Sequence, residues 1–291
     1  LTCEEALALA RGLGVARLDA QLILGHVLGR SRAWVIAHDQ DALDPAIYAP
    51  LQQLLKCRAD GVPVAYLLGE REFHGLMLQV TPAVLVPRPE TELLADWALE
   101  RLRDAPAASA VDLGTGSGAL ALAVQQARPD VAVCASDVSS AALDIARANA
   151  ARHGLSVEFV IGHWWRAVAG RRFGLALSNP PYIAADDVHL RELRHEPRSA
   201  LTPGGDGLAA LREIIQQAPA HLEPGAWLLL EHGHDQARAV QQMLQQAGFD
   251  TPQTRLDLAR LPRCTGACFR GQRSGLQENP AGGNPLPLAA Y

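Results

Sequence analysis

From Ala110 onward the chain alternates short apolar runs with helical patterns, and few architectures accept that rhythm. The runs at 110–113, 131–135, 157–161, 175–177 and 226–230 are short, and helical periodicity separates them at 141–152, 208–218 and 236–247. A strand buried on both faces reads as a continuous apolar run, and helices inserted between successive strands make those strands parallel. The pattern predicts a doubly wound, Rossmann-like α/β sheet.

Upstream the texture differs. Apolar residues recur at three and four from Thr2 to about Arg58, as in Leu7 and Ala10, Leu18 and Leu22, and Leu51, Leu54 and Leu55. This spacing predicts a small bundle of helices, with Asp44 and Pro45 as an N-cap and first-turn pair. Between Gly61 and Pro89 the pattern becomes strand and turn, with Phe73-His74-Gly75-Leu76, Met77-Leu78-Gln79-Val80 and Val84-Leu85-Val86 broken by Pro63, Gly69, Gly75 and Pro82. A helical stretch follows near 90–103, then an Ala- and Pro-rich joint at 104–109. The expected division is a helical domain over 1–68, a β-hairpin linker over 69–89 and an α/β domain over 90–273. The Gly-, Pro-, Asn- and Gln-rich tail over 274–291 has little apolar content and is expected to be disordered.

Composition narrows the functional classes. Across 291 residues, 26 Lys and Arg stand against 31 Asp and Glu, a formal charge of -5, so no global basic field advertises polynucleotide binding. Five scattered cysteines are too few and odd in number for a disulfide scaffold, which suits a reducing cytosol. Glu4, Glu5, Arg11 and Asp19 argue against a signal peptide, and no stretch reaches the roughly 18 apolar residues of a membrane span. A cytoplasmic protein with no membrane contact is expected.

Val111-Asp112-Leu113-Gly114-Thr115-Gly116-Ser117-Gly118-Ala119 places three alternate glycines between a strand and a helix, where backbone can approach a ligand closely. Such a loop either cradles a nucleotide or serves tight packing. Asp137 closes the next apolar run, about 20 residues further on, where a carboxylate can accept hydrogen bonds from a ribose. Its other reading is an N-cap for the helix at Ser140. The G-x-G-x-G spacing, with Asp112 two residues before the first glycine, leans from a dinucleotide toward S-adenosyl-L-methionine, which has no pyrophosphate to cradle.

Ser178-Asn179-Pro180-Pro181-Tyr182 follows the fourth run, at the carboxyl end of a strand where open α/β sheets bind ligands. Asn179 offers a side-chain carbonyl as acceptor. Pro180 precedes another proline and is held extended, so its carbonyl can face a pocket as a second acceptor. Tyr182 supplies a ring for stacking. A planar –NH2 bonded to both acceptors has its nitrogen fixed, with the third direction open to a methyl donor. Without the glycine loop upstream, Asn-Pro-Pro reads as an ordinary turn.

Taken together these residues resemble a known family. Asn179-Pro180-Pro181-Tyr182, behind the Gly114–Gly118 loop and Asp137, is similar to the signature of methyltransferases acting on planar amide or amino nitrogens. Gly69-Glu70-Arg71-Glu72-Phe73, Val86-Pro87-Arg88-Pro89-Glu90-Thr91-Glu92, His195-Glu196-Pro197, Gly204-Gly205-Asp206-Gly207-Leu208 and Glu231-His232-Gly233-His234-Asp235-Gln236 narrow the resemblance to the release-factor glutamine methyltransferase family of the HemK/PrmC type, in order and as far as about Gly271.

The resemblance implies a class I S-adenosylmethionine-dependent methyltransferase domain over 90–273. It implies a substrate too: the glutamine of the Gly-Gly-Gln loop of class I peptide chain release factors, methylated on its side-chain nitrogen N5. Gly114, Thr115, Gly116, Ser117, Gly118, Asp137 and Trp164 would hold the cofactor, and Asn179 would lie between cofactor and substrate. Asn179, Pro180, Pro181 and Tyr182 would clasp the glutamine, with Asn179, Pro180 and Tyr182 as the catalytic set. The N-terminal helices would help hold the release factor. A monomer without direct nucleic-acid contact is expected.

The chemistry is consistent with that reading. An amide nitrogen is a poor nucleophile, and no His or Glu general base stands in the motif. Positioning can supply on the order of 7–11 kcal/mol when the attack geometry is right, and hydrogen bonds to Asn179 and Pro180 would strengthen as positive charge grows on the nitrogen.

Other candidates carry less. Trp164-Trp165 covers an adenine or simply packs. His232 and His234 lack the cluster that completes a metal site, so no metal is expected. Cys264 and Cys268 are read as spectators. Arg171, Arg172, Arg191, Arg194 and Arg198 are either solvated faces or contacts to a phosphate-rich or acidic partner. The rival functions are a nucleic-acid adenine or guanine amino-methyltransferase, a non-catalytic module that binds a translation factor, and, most distantly, a nicotinamide-dependent oxidoreductase. His163 departs from the small or acidic residue more usual before the tryptophan, and the stretch beyond about Gly271 has no family counterpart. Truncation after Gly271 is expected to leave methyl transfer intact, as an activity assay on the shortened chain would show.

Overall fold

The structure is a computed structural model that describes residues 1–103 and 109–271. The joint at 104–108 and the tail expected over 274–291 lie outside the described residues.

The chain opens with helices α1 (Cys3–Gly12), α2 (Arg17–Leu28), α3 (Arg32–Ala37), α4 (Tyr48–Ala59) and α5 (Val64–Leu68). Their ends follow from the sequence. Thr2 and Glu5 form a reciprocal capping box on α1, and Ser31 caps α3. Asp44 accepts a hydrogen bond from the Ala46 N–H at 2.8 Å, and Pro45 starts a 3-10 turn that runs into α4. The faces that meet contribute Ile23, Leu24, Val35, Leu51 and Leu55, all buried. Helix α5 differs from the strand-and-turn pattern expected there. Pro63 caps its start, Gly69 ends it in the left-handed region, and Val64, Leu67 and Leu68 pack on the helical core.

Strands β1 (Glu70–Phe73) and β2 (Leu76–Gln79) then form an antiparallel hairpin that turns on His74 and Gly75. Both turn residues have positive φ, 51° and 80°, which matches the strand twist of a two-residue hairpin. Left-handed His74 is held by Glu92 Oε1, which accepts from its N–H at 3.1 Å, and by Asp96 beside its ring at 3.0 Å. Val84-Leu85-Val86, expected as a strand, joins neither sheet. Instead the Tyr66 hydroxyl donates to the Val84 carbonyl at 2.5 Å.

Helix α6 (Glu92–Leu102) leads into the large sheet, whose elements are β3 (Ser109–Leu113), α7 (Ala119–Ala127), β4 (Ala132–Asp137), α8 (Ser140–His153), β5 (Glu158–Ile161), β6 (Phe173–Ser178), α9 (Ala209–Gln217), β7 (Leu222–Glu231), α10 (Ala237–Gln246), β8 (Gln253–Leu256) and β9 (Pro262–Cys268). Strand order is β5-β4-β3-β6-β7-β9-β8. The first five strands are parallel, and β9 inserts antiparallel to both β7 and β8. All five apolar runs of the sequence are therefore parallel strands of one sheet. The antiparallel pair carries no such run: β8 reads Gln-Thr-Arg-Leu, and β9 mixes Arg263, Thr265 and Gly266 with its cysteines.

The sheet separates two cores. Ala110 of β3 faces the one built with α6 and α7, and Val111 faces the one built with α9 and α10. Gly266 of β9 sits where there is no room for a side chain: an added Cβ would lie 2.5 Å from Leu229 Cδ2, 2.9 Å from the Leu228 carbonyl oxygen and 3.1 Å from the Trp97 ring. The Gly266→Ala change is expected to destabilise the fold by about 1–3 kcal/mol through overpacking. Denaturant unfolding measures it, and an unchanged midpoint would contradict this packing.

Candidate active site

Parallel pairing carries the chain to one edge of the sheet at the end of every strand from β3 to β7, and the chemistry-bearing residues gather there. Beyond β3, the Gly114 and Thr115 N–H groups both donate to the Ser136 carbonyl, at 2.8 and 2.9 Å. Gly114 has φ 76°, and a Cβ on it would stand 2.8 Å from the Trp164 ring. Nothing lies within 4 Å of a Cβ on Gly116, so that side of the loop is open. Asp137, at the end of β4, accepts from the Gly116 N–H through Oδ2 and from the Ser139 N–H through Oδ1, each at 2.9 Å. Ser139, not Asp137, caps α8, so the N-cap reading of Asp137 fails. Each Asp137 oxygen keeps lone-pair capacity for another donor.

Asn149 of α8 ties this loop to the hairpin. Fully buried, it accepts from the Gln79 N–H at 2.7 Å and donates to the Gln79 and Ser117 carbonyls at 3.0 and 2.9 Å. Asp112 of β3 is equally buried. Its Oδ2 accepts from the Thr115 hydroxyl at 2.6 Å, while Oδ1 has no partner. Burial pushes the Asp112 carboxyl up to about 7, against the hydrogen bond from Thr115.

On the neighbouring strand the Ser178 hydroxyl donates to the Leu113 carbonyl at 2.6 Å and pins the end of β6 to the end of β3. Asn179 comes next, its Nδ2 donating to Thr91 Oγ1 at 3.1 Å, which turns Oδ1 away from that contact. Pro180 is buried. Tyr182 packs into the core beneath α9 and α10, and its hydroxyl donates to Glu231 Oε1 at 3.1 Å. The loop back to α9 braces this segment: Ile183 and Ala185 donate to the Leu201 and Gly205 carbonyls, each at 3.0 Å. A Cβ on Gly207 would sit 2.3 Å from the Tyr182 carbonyl oxygen.

These pieces surround a cavity of about 640 Å³. Gly114, Thr115, Gly116, Ser117, Asp137, Trp164, Asn179 and Pro181 line it, whereas Gly118, Pro180 and Tyr182 do not. Its roof is the segment before α6, where Arg88 pairs with the buried carboxylate of Glu196 and the Val86 N–H donates to the same side chain at 3.1 Å. The two tryptophans divide. Trp164, at φ 44°, reaches the cavity, while Trp165 is buried, donates to the Ile214 carbonyl at 2.8 Å and stacks on His221. His163 faces both the Trp164 ring and Glu213 at the cavity margin.

Most of the remaining candidates have structural partners. The ring of buried His232 donates from Nδ1 to the Gly233 carbonyl at 2.8 Å and accepts the Thr265 hydroxyl at Nε2, at 2.7 Å. Burial keeps that imidazole neutral by lowering its pKa. Arg171 pairs with Glu158, Arg172 donates to the Leu222 carbonyl, and Arg194 and His195 both reach the Asp60 carbonyl at the end of α4. No helix among the described residues is long and apolar enough to cross a membrane.

Comparison with known proteins follows the same lines. The family model described as the PrmC N-terminal domain matches residues 3–69, and the one described as the methyltransferase small domain matches residues 91–208. The release factor glutamine methyltransferase of Bordetella pertussis is 49% identical over 256 residues, covering 87% of this chain and 95% of that protein. Its counterpart in Xylella fastidiosa strain Temecula1 is 50% identical over 258 residues, covering 87% and 94%. The chain belongs to the release factor glutamine methyltransferase family. Family membership makes it a methyltransferase, implies use of S-adenosylmethionine, and favours neither the nucleic-acid nor the non-catalytic reading.

Among solved structures, the hMettl16 catalytic domain in complex with a MAT2A 3'UTR hairpin superposes with TM-score 0.58 at 16% identity, covering 76% of this chain and 82% of that one. A Pyrococcus furiosus methyltransferase does so with TM-score 0.52 at 18% identity, covering 77% and 100%. Both likenesses concern the fold.

In this family member, reading the sequence by residue type overlooked Thr91, Arg88, Glu196 and Glu231. Each lay inside a stretch that carried the family resemblance, which was the signal for them, yet their roles depend on partners far along the chain. Asp112 yields a test of the site's electrostatics. Its carboxyl sits at about 7 when folded against an ordinary 3.8, so the unfolded chain ionises first and Asp112 costs stability as pH rises between those values. Asp112→Asn should therefore gain stability relative to the native chain through that window and hold the gain above it. Urea unfolding on both sides of the window checks this, and a pH-independent difference would contradict it.

Proposed function

We propose that this chain methylates the side-chain amide nitrogen, N5, of the glutamine in the Gly-Gly-Gln motif of class I peptide chain release factors, acting as a cytoplasmic monomer. Membership of the release factor glutamine methyltransferase family supports the reaction. The observation that carries the reading in this chain is the orientation of Asn179. With Nδ2 committed to Thr91, its free acceptor is Oδ1, on a side chain that lines the cavity beside the glycine loop.

The cavity fits S-adenosylmethionine. Gly116 leaves open space at the loop, Asp137 keeps lone pairs for ribose hydroxyls, and the orphaned Oδ1 of Asp112 offers an acceptor. Gly114, Thr115, Gly116 and Ser117 would hold the cofactor with Asp137, Trp164 and Asn179, while Gly118, outside the cavity lining, starts the helix behind them. When bound, it supplies an electrophilic methyl group.

The chain's own residues position the nucleophile. Asn179 Oδ1 accepts a proton of the substrate amide, holds its plane, and gains strength as positive charge develops on nitrogen, while Pro180, buried outside the cavity lining, fixes the backbone beside it. Pro181 forms the adjoining wall, and Tyr182 anchors the motif from behind through Glu231. The helices α1–α5 hold the release factor, coupled to the site through the contacts of Arg194 and His195 with Asp60.

The direct test is mass spectrometry of an unmethylated class I release factor after incubation with this protein and S-adenosylmethionine. One added methyl on the Gly-Gly-Gln glutamine is expected. Asn179→Ala should lower kcat by about 10²-fold while cofactor affinity, read by calorimetry, changes little. Equal loss of both would remove the positioning role.

A further inference from the structure

Among the described residues, three carboxylates line the cavity: Asp112, Asp137 and Glu213. Asp112 is buried beneath the glycine loop, and Asp137 accepts from the Gly116 and Ser139 N–H groups. Glu213 comes from α9, outside both the glycine loop and the Asn-Pro-Pro-Tyr motif. Leu211, Ile214 and Ile215 bury one side of that helix in the core, and Ala209, Ala210 and Glu213, three and four residues apart, line the cavity with the other. Glu213 Oε1 accepts from Gln217 Nε2 at 3.1 Å and stands 3.4 Å from His163 Nδ1 without a hydrogen bond. Oε2 has no partner among the described residues. A carboxylate held by its neighbours through one oxygen keeps the other for a donor that enters the cavity.

The strand order decides which part of a ligand reaches that oxygen. Asp137, with lone pairs for ribose hydroxyls, ends β4, and Asn179, at the methyl-transfer end, follows β6, with β3 between them. A cofactor whose ribose lies at β4 and whose sulfur lies toward β6 carries its base on the far side of β4, toward β5. Gly162, His163 and Trp164, which follow β5, line that end of the cavity. Val138 joins them, 63% exposed, as an apolar seat for a flat ring. Glu213 stands against His163 at the same end. Adenine brings one exocyclic donor there, its 6-amino group, while the ammonium of the cofactor travels with its methionine in the opposite direction.

We propose that Glu213 accepts a hydrogen bond from the 6-amino group of adenine and makes the cavity selective for an adenine nucleoside. The proposal rests on the reading of the cavity as the S-adenosylmethionine site and is independent of the protein substrate. A charged acceptor makes the stronger kind of hydrogen bond. A ligand without the amino group forfeits that bond and still displaces water from the carboxylate, so it binds less tightly. Glutamine at 213 keeps an acceptor oxygen without the charge, and alanine keeps neither. His163 presents a ring nitrogen at the same margin, so the two side chains are separated by changing each alone.

Calorimetric titration with two ligands tests this: S-adenosyl-L-homocysteine, and the same thioether built on purine riboside, in which hydrogen replaces the 6-amino group. The native chain should bind the first about tenfold more tightly. Glu213→Ala should bind both alike, its loss confined to the amino-bearing ligand, and Glu213→Gln should keep part of the preference. His163→Ala should keep most of it, and circular dichroism checks that each variant folds. A native chain that binds the two ligands equally overturns the proposal, as does a Glu213→Ala chain that weakens both alike or retains the native preference. A native chain that binds neither ligand refutes the cofactor reading and the proposal together. One that shows the Glu213-dependent preference but methylates no release factor supports the proposal and refutes only the proposed substrate.

Discussion

The site exists because β3 and β6 are parallel neighbours in register. Val111 lies opposite Ala176 and Asp112 opposite Leu177, so both strands end together, and the Ser178 bond to the Leu113 carbonyl locks the ends at 2.6 Å. Residues 65 positions apart are thereby placed side by side, and the glycine loop and Asn179 become two walls of one cavity. Parallel strands cannot be joined by a tight turn, so the crossovers through α7, β4, α8 and β5 are the cost of that adjacency. They also deliver Asp137 and Trp164 to the same edge.

The remaining walls come from outside the sheet. Hairpin β1–β2 is tied by Asn149 to the carbonyl of Ser117, and the segment following it is drawn over the cavity by Glu196 through both Arg88 and the Val86 backbone. Removing Arg88 would leave the charge of buried Glu196 uncompensated, so this contact fixes geometry more than it adds net stability. Arg194 and His195 flank Glu196 in sequence and bond to the end of α4. The helical region, the roof and the clasp are consequently one connected assembly, which suits an enzyme whose substrate is another protein.

Reading the sequence succeeded where the signal was local. Five apolar runs foretold five parallel strands, and Asp44-Pro45 foretold a helix start. It fell short where a residue's meaning depends on a distant partner. Helix α5 contains no more helical signal than its neighbours and is set by packing on α2 and α4. Strand β9 is buried although polar, because Thr265 is satisfied by His232 and Thr254. Tyr182, adjacent to the motif prolines, was expected to stack on a ligand; its ring instead packs in the core and its hydroxyl bonds to Glu231.

By itself the sequence determined the alternating α/β rhythm, the glycine loop, the acidic residue after it and the Asn-Pro-Pro-Tyr motif, because strand burial, glycine conformational freedom and proline geometry act within a few residues. Only the tertiary structure decided that Asn179 commits its –NH2 to Thr91, which tryptophan reaches the cavity, and which acid caps nothing and stays available. Those outcomes depend on hydrogen bonds between residues as far apart as Thr91 and Asn179, or Tyr182 and Glu231, and the partner of a polar group is chosen by the fold that buries it.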